Sequence, residues 1–110
     1  MYVADTHAWI YYLLNKLPAE SERVFSKIEA FGDVMFIPTI CLTECIYLIE
    51  KGKVKLDIDN LFLKLEESNN FIPAPLNLEI IKLVPKMNLG EMHDRVIVAT
   101  AKLLNATLIT

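Results

Sequence analysis

The sequence predicts an α/β fold, a three-layer α/β/α sandwich around a central parallel sheet of four or so strands. Three observations carry that expectation. Short apolar runs alternate along the chain with longer stretches whose apolar residues recur at three- and four-residue spacing. The short runs are apolar at successive positions rather than alternate ones, the pattern of strands covered on both faces. Pro and Gly stand at the boundaries between the two kinds of segment, where they stop one element and start the next.

Tyr2-Val3-Ala4 reads as the first buried strand, ended by Asp5-Thr6-His7. A dense apolar stretch from Ala8 to Leu14 forms a helix that Asp5 or Thr6 could cap and Pro18 closes off. Val24, Phe25, Ile28 and Phe31 share one side of a second helix over Glu20 to Phe31, with Gly32 at its end. Val34 to Ile37 is the next strand, closed by Pro38. Thr39 is placed as the N-cap of a helix reaching about Lys51, with Gly52 as its stop. Ile58 to Glu67 is amphipathic, with Leu61, Phe62 and Leu65 inward. Phe71-Ile72 opens a third strand that Pro73 and Pro75 restrict to a short or edge one. Leu78 to Leu83 is a short helix broken at Pro85, and Lys86 to Gly90 a loop. Glu91 to Leu104 is the strongest helical segment, and Thr107 to Thr110 a fourth strand.

At 110 residues the chain is expected to form one domain, with roughly two-thirds of its surface buried on folding. Apolar residues make up 54% and charged residues 23%, which excludes a disordered or fibrous chain. No window supplies the ~18 apolar residues of a membrane span. Asp5 stands where an export signal would carry basic residues, so a cytoplasmic protein is expected. The net charge of -3 argues against a coat protein for nucleic acid but not against a nuclease, because bound cations can themselves hold phosphate. Cys41 and Cys45 lie four apart on one helix and read as reduced core thiols. Neither histidine adds the spacing a zinc site needs.

Three acids stand where acids need a reason. Glu44 has Ile40 and Cys41 behind it and Tyr47 and Leu48 ahead, so it shares the apolar side of its helix. Asp94 begins a stripe continued by Ile97, Val98 and Ala101. Asp5 follows a buried strand directly, at the carboxyl end where open α/β sheets collect ligands. A carboxylate in apolar surroundings must protonate, find a cation or bind a metal. Oxygen ligands without a histidine-rich pattern favour Mg²⁺ or Mn²⁺. Each acid alone also has a plainer role. Asp5 could be only a cap, Asp94 could pair with Arg95 or a neighbouring helix, and Glu44 could meet a lysine.

Four segments resemble one family. Val3-Ala4-Asp5-Thr6-His7-Ala8, Pro38 to Glu44, His93-Asp94-Arg95-Val96-Ile97-Val98-Ala99-Thr100-Ala101 and Leu108-Ile109-Thr110 are similar, in that order, to PIN-domain proteins. The chain looks most like the VapC toxins of toxin–antitoxin pairs. The resemblance implies a PIN-like fold and a metal-dependent endoribonuclease in which Asp5, Glu44 and Asp94 are catalytic and bind Mg²⁺ or Mn²⁺. It implies an RNA substrate and an antitoxin partner, and a sheet edge left open by a missing last helix and strand would favour a homodimer. It puts Thr6 near the metal or a phosphate, and offers Thr100 as a minor site-lining residue and Glu91 as an outer carboxylate or a solvated first-turn acid.

Relatives usually continue past the Leu-Ile-Thr strand into a further Asp, whereas this chain ends at Thr110, so the usual C-terminal segment is expected to be missing. That departure keeps two alternatives open, a non-catalytic PIN-like binding or regulatory module and a housekeeping RNA-processing nuclease. His7 and His93 read as capping or packing residues rather than acid–base catalysts. Trp9, Tyr11 and Tyr12 could stack on bases, enter the core or form a dimer seam. Lys51, Lys53 and Lys55 make the nearest approach to a basic patch, as a solvated loop or an RNA contact.

Overall fold

A computed structural model describes residues 1–110. The elements in chain order are β1 (Tyr2–Ala4), α1 (Thr6–Leu13), α2 (Ala19–Phe31), β2 (Met35–Pro38), α3 (Thr39–Glu50), α4 (Ile58–Glu67), β3 (Phe71–Ala74), α5 (Leu78–Leu83), α6 (Met92–Leu104) and β4 (Thr107–Ile109). All strands are parallel, in the order β3-β2-β1-β4. Val3 pairs with Phe36 on one side and Leu108 on the other, and Phe36 pairs with Ile72.

Alternation along the strands divides the interior into two cores. Ala4, Met35 and Ile37 point to one side of the sheet, into a cluster with Trp9, Phe25, Ile28 and Leu61 from α1, α2 and α4. Val3 points to the other, where it meets Cys41, Ile97 and Ala101, with Phe36 and Leu108 packed against them. A further cluster joins α5 to α6 through Ile80, Val84, Val96 and Ala99. The three-layer α/β/α sandwich with a parallel sheet is therefore the architecture observed. The first core is aromatic. Phe25 stacks on Tyr12 with ring centroids 4.5 Å apart, and Trp9 lies 5.5 Å from both Tyr12 and Phe71.

Local chemistry explains where the elements start and stop. Asp5 caps α1, its Oδ1 accepting from the Ala8 amide at 2.9 Å. Thr39 does not cap α3. It is the first helical residue, and its hydroxyl oxygen accepts from the Leu76 amide at 3.3 Å, tying α3 to the segment after β3. Pro73 sits on the edge strand β3, opposite Ile37, where a missing amide proton is tolerated. Pro85 lies in a 3₁₀ turn over Val84–Lys86, so α5 tightens there before the loop begins.

Two helix ends share a single design. At the end of α1, Asn15 is left-handed (φ 59°), and the Asn15 and Lys16 amides donate to Tyr12 and Tyr11. At the end of α3, Gly52 is left-handed (φ 73°), and the Gly52 and Lys53 amides donate to Ile49 and Leu48. Both are Schellman motifs, and each puts a lysine directly after the left-handed residue. No helix is long and apolar enough to cross a membrane.

Candidate acidic site

The site is assembled from three chain segments at the carboxyl end of the sheet. The Asp5 amide donates to the Ile109 carbonyl at 3.0 Å, carrying the β1–β4 ladder one residue past the strand. Because Oδ1 caps α1, only Oδ2 is left to face outward. Glu44 lies in the second turn of α3, the helix after β2, with its side chain about one-third exposed (32%). Asp94 is in the first turn of α6, where the positive end of the helix favours an anion. It is exposed and has neither an ion pair nor a hydrogen bond.

Asp5, Thr6, His7, Glu44, His93, Asp94 and Ile97 line one pocket of about 50 Å³. All three predicted acids thus open onto the same space. Glu44 is held from two sides. The buried Thr6 hydroxyl donates to Glu44 Oε2 at 2.8 Å, and His93 Nε2 forms an ion pair with the same oxygen. His93 Nε2 also lies 3.2 Å from the Thr6 hydroxyl. Thr6, Glu44 and His93 thus lie mutually within hydrogen-bonding distance, with the Thr6 hydroxyl giving its proton to Glu44.

His93 is the residue that sequence reasoning undervalued. It was expected to cap or pack, and instead it bridges α6 to α3. The available signal was its place beside Asp94, but its partner lies 49 positions away and nothing local points to it. His7 also lines the pocket rather than packing inside. Thr100 departs from expectation. It is buried in the middle of α6, its hydroxyl donates to the Val96 carbonyl at 2.8 Å, and it does not line the pocket. Glu91 precedes α6 and stays outside the pocket. Asp94 and Arg95 form no ion pair, and no lysine reaches Glu44.

Cys41 lies behind the pocket, its thiol 4.0 Å from the Ala4 carbonyl oxygen. Burial pushes the thiols of Cys41 and Cys45 up to about 12, and the nearby carboxylates push the same way. Both are neutral thiols at physiological pH. They serve as packing atoms and not as metal ligands or nucleophiles.

A donor set of three carboxylates and a hydroxyl is hard-oxygen chemistry, which suits Mg²⁺ or Mn²⁺. The pocket exceeds the ~30 Å³ that one water occupies in the liquid, so a small cation has room. No three acidic, histidine or cysteine side chains are gathered around a single point. Glu44 instead faces Thr6 and His93.

The family model described as PIN domain matches residues 2–110. The chain belongs to the PIN-domain family. Among solved structures, this PIN domain is similar to a toxin–antitoxin complex from Klebsiella pneumoniae, with a TM-score of 0.67 at 21% identity. That match covers 100% of this chain and 85% of the other. It is similar to the same degree (TM-score 0.67, 21% identity, 99% and 86% covered) to VapBC2 from Rickettsia felis bound to a DNA fragment from its promoter. VapC20 of Mycobacterium tuberculosis, a toxin that cleaves the sarcin–ricin loop, matches with a TM-score of 0.65 at 11% identity, with 96% and 85% covered. A search of curated protein sequences found no match. At these identities the structural likeness establishes the fold.

Proposed function

We propose that this PIN domain is a metal-dependent endoribonuclease, the toxin of a toxin–antitoxin pair, acting in the cytoplasm. The observation that carries this reading is the convergence of Asp5, Glu44 and Asp94 on one pocket at the carboxyl end of the sheet. Three carboxylates repel a phosphodiester, so a phosphate can enter the pocket itself only with a cation between them. Bound Mg²⁺ or Mn²⁺ would activate water for attack on phosphorus and offset charge on the phosphoryl oxygens. Asp5, Glu44 and Asp94 would hold it, with the Thr6 hydroxyl beside them.

The protein's own residues do the positioning. Asp5 is fixed by its cap bond and offers one free oxygen. Thr6 orients Glu44 through a buried hydroxyl. His93 Nε2 lies against the same Glu44 oxygen from the side of α6 and so helps to fix the direction of that carboxylate. The toxin–antitoxin neighbours in Klebsiella and Rickettsia support an antitoxin protein as partner. The same reading takes the chain as a homodimer.

Purified protein is expected to cut RNA internally with Mg²⁺ or Mn²⁺ and to stop when EDTA is added. Asp5→Asn and Asp94→Asn should each abolish cleavage, and activity surviving both would end the proposal. A second reading, a non-catalytic binding module, is favoured by the absence of any three side chains gathered for an ion. Calorimetric Mn²⁺ binding together with RNA turnover would exclude it.

A further inference from the structure

Carboxylates and a hydroxyl are not the only donors of the acidic pocket. His93 lines the same space, and its Nε2 is turned against Glu44 Oε2 and lies 3.2 Å from the Thr6 hydroxyl. Thr6 Oγ1 in turn lies 2.8 Å from Glu44 Oε2. Asp5 and Asp94 complete the polar lining together with His7.

We propose that His93 is itself a metal ligand, so that the pocket offers mixed nitrogen and oxygen donors and takes a first-row transition ion in preference to Mg²⁺. The inference rests on the metal-dependent reading of the pocket and goes beyond it, since that reading uses oxygen donors alone.

Spacing is the first support. Donors on neighbouring corners of a six-coordinate ion, each ~2.1 Å from it, stand ~3 Å from one another. Thr6 Oγ1 has that spacing from both Glu44 Oε2 and His93 Nε2. By contrast, no three acidic, histidine or cysteine side chains are gathered around one point, so the three carboxylates alone do not make a seat. The donors that already stand together include an imidazole nitrogen.

Placement is the second support. His93 and Asp94 are successive residues in the first turn of α6, and both line the pocket. That helix therefore brings a nitrogen and a carboxylate, while α3 and the end of β1 bring oxygens. The His93 side chain is 27% exposed, which leaves the ring held by its surroundings yet open to an entering ion. His7, the other histidine, is placed differently. It forms neither a hydrogen bond nor an ion pair with a pocket donor, and its ring centroid lies 6.2 Å from that of Tyr11. It also lines a neighbouring cleft of about 480 Å³ that carries Lys16, Lys53 and Lys55.

The chemistry of the ion is the third support. Mg²⁺ binds oxygen and gives up its water reluctantly, whereas transition ions accept imidazole, with affinity rising from Mn²⁺ to Co²⁺. A histidine that only steered Glu44 would serve every ion alike. One that ligates distinguishes among them.

The experiment uses protein loaded with Mn²⁺ alone, without RNA, and reads the electron spin-echo envelope of the ion, which a directly bound imidazole nitrogen modulates. Wild type is expected to show ¹⁴N modulation, replaced by that of ¹⁵N when its two histidines are labelled. The modulation should persist in His7→Gln and vanish in His93→Gln, whose amide can still donate to Glu44. Calorimetry should show the same selectivity. His93→Gln is expected to lose at least about tenfold in Co²⁺ affinity, less in Mn²⁺ affinity and under about threefold in Mg²⁺ affinity.

No nitrogen modulation in wild type at saturating Mn²⁺ overturns the proposal, as does its loss with His7 in place of His93. Equal losses for all three ions assign His93 to steering alone and overturn it too. If thermal denaturation shows His93→Gln unfolded, His7→Gln grown with ¹⁵N-histidine decides the matter, because His93 is then the only histidine present. The two proposals fail separately. RNA cleavage without a nitrogen signal removes the ligand and keeps the nuclease. A signal from His93 in protein that cuts no RNA keeps the ligand and removes the nuclease.

Discussion

The acidic pocket and the lysine cleft share His7 and are built in opposite ways. The pocket joins the end of β1, the second turn of α3 and the first turn of α6 through contacts that span up to 87 residues, such as Thr6 to His93. The cleft is set by helix endings whose hydrogen bonds span five residues, Lys16 to Tyr11 and Lys53 to Leu48. Both need the tertiary fold to bring their parts together, but the lysines of the cleft are fixed in place by local backbone geometry. Damage to one should therefore leave the other standing.

The largest effect that separates them is expected from Asp94→Asn. On the proposed function Asp94 would hold a cation that supplies several kcal/mol of transition-state stabilisation, and its loss should slow RNA cleavage by at least about a thousandfold. RNA binding in EDTA should hold or strengthen, because a negative charge has left the pocket. Parallel loss of binding and cleavage would show that the two regions are not separable. Thr6→Val comes next. It removes the buried donor to Glu44 while keeping the shape of the side chain, and groups that orient a metal ligand are typically worth ~10–100-fold in affinity. Mn²⁺ titration by calorimetry should show a loss of that order, and an unchanged isotherm would make the Thr6–Glu44 bond irrelevant to the ion.

A smaller effect concerns the packing behind the pocket. Cys41 and Cys45 hold their protons to about pH 12 when folded, against an ordinary value of 9.0. Between those limits the unfolded chain releases protons that the folded chain keeps. The stabilisation is therefore complete below pH 9 and falls as the pH rises, by up to about 1.4 kcal/mol per pH unit and thiol. Melting curves from pH 8 to 10 should drop more steeply for wild type than for Cys41→Ala/Cys45→Ala, and parallel curves would refute this. The narrow range matters because burial and a hydrogen bond to Glu29 also raise Tyr12 above its usual range, which adds to the fall at higher pH.

The smallest change tests the cleft alone. Gly52 has φ +73° and nothing within 4 Å of an added Cβ, so Gly52→Ala meets backbone strain but no clash. The cost should be about 1–2 kcal/mol, read as a lower melting temperature. Mn²⁺ affinity should be unchanged, and a change in it would couple the two regions.

The same contrast explains what the sequence revealed. Every strand and helix was placed to within about two residues, because periodicity, Pro73, Pro85 and Gly32 act locally. The strand order β3-β2-β1-β4 was not legible, since it is decided by how layers pack. Asp5, Glu44 and Asp94 stood out as acids on apolar faces, and they do open onto one pocket. Even so, Asp94 is exposed and Glu44 only half-buried, so the apolar faces around them did not mean deep burial. His93 was missed because its value lies in Glu44, and Thr100 was overvalued because its motif neighbours drew attention to it.

Asp5 carries a burden the other acids do not, since one oxygen starts α1 while the other faces the pocket. Whatever its chemistry, the chain must keep a cap at this position or lose about 1 kcal/mol of fold stability. Asn and Ser satisfy the helix without the charge, whereas Ala satisfies neither. Substitution at position 5 is thus expected to be confined to capping residues, and position 44 carries a demand of its own through the buried Thr6 hydroxyl, whereas exposed, unpaired position 94 carries neither.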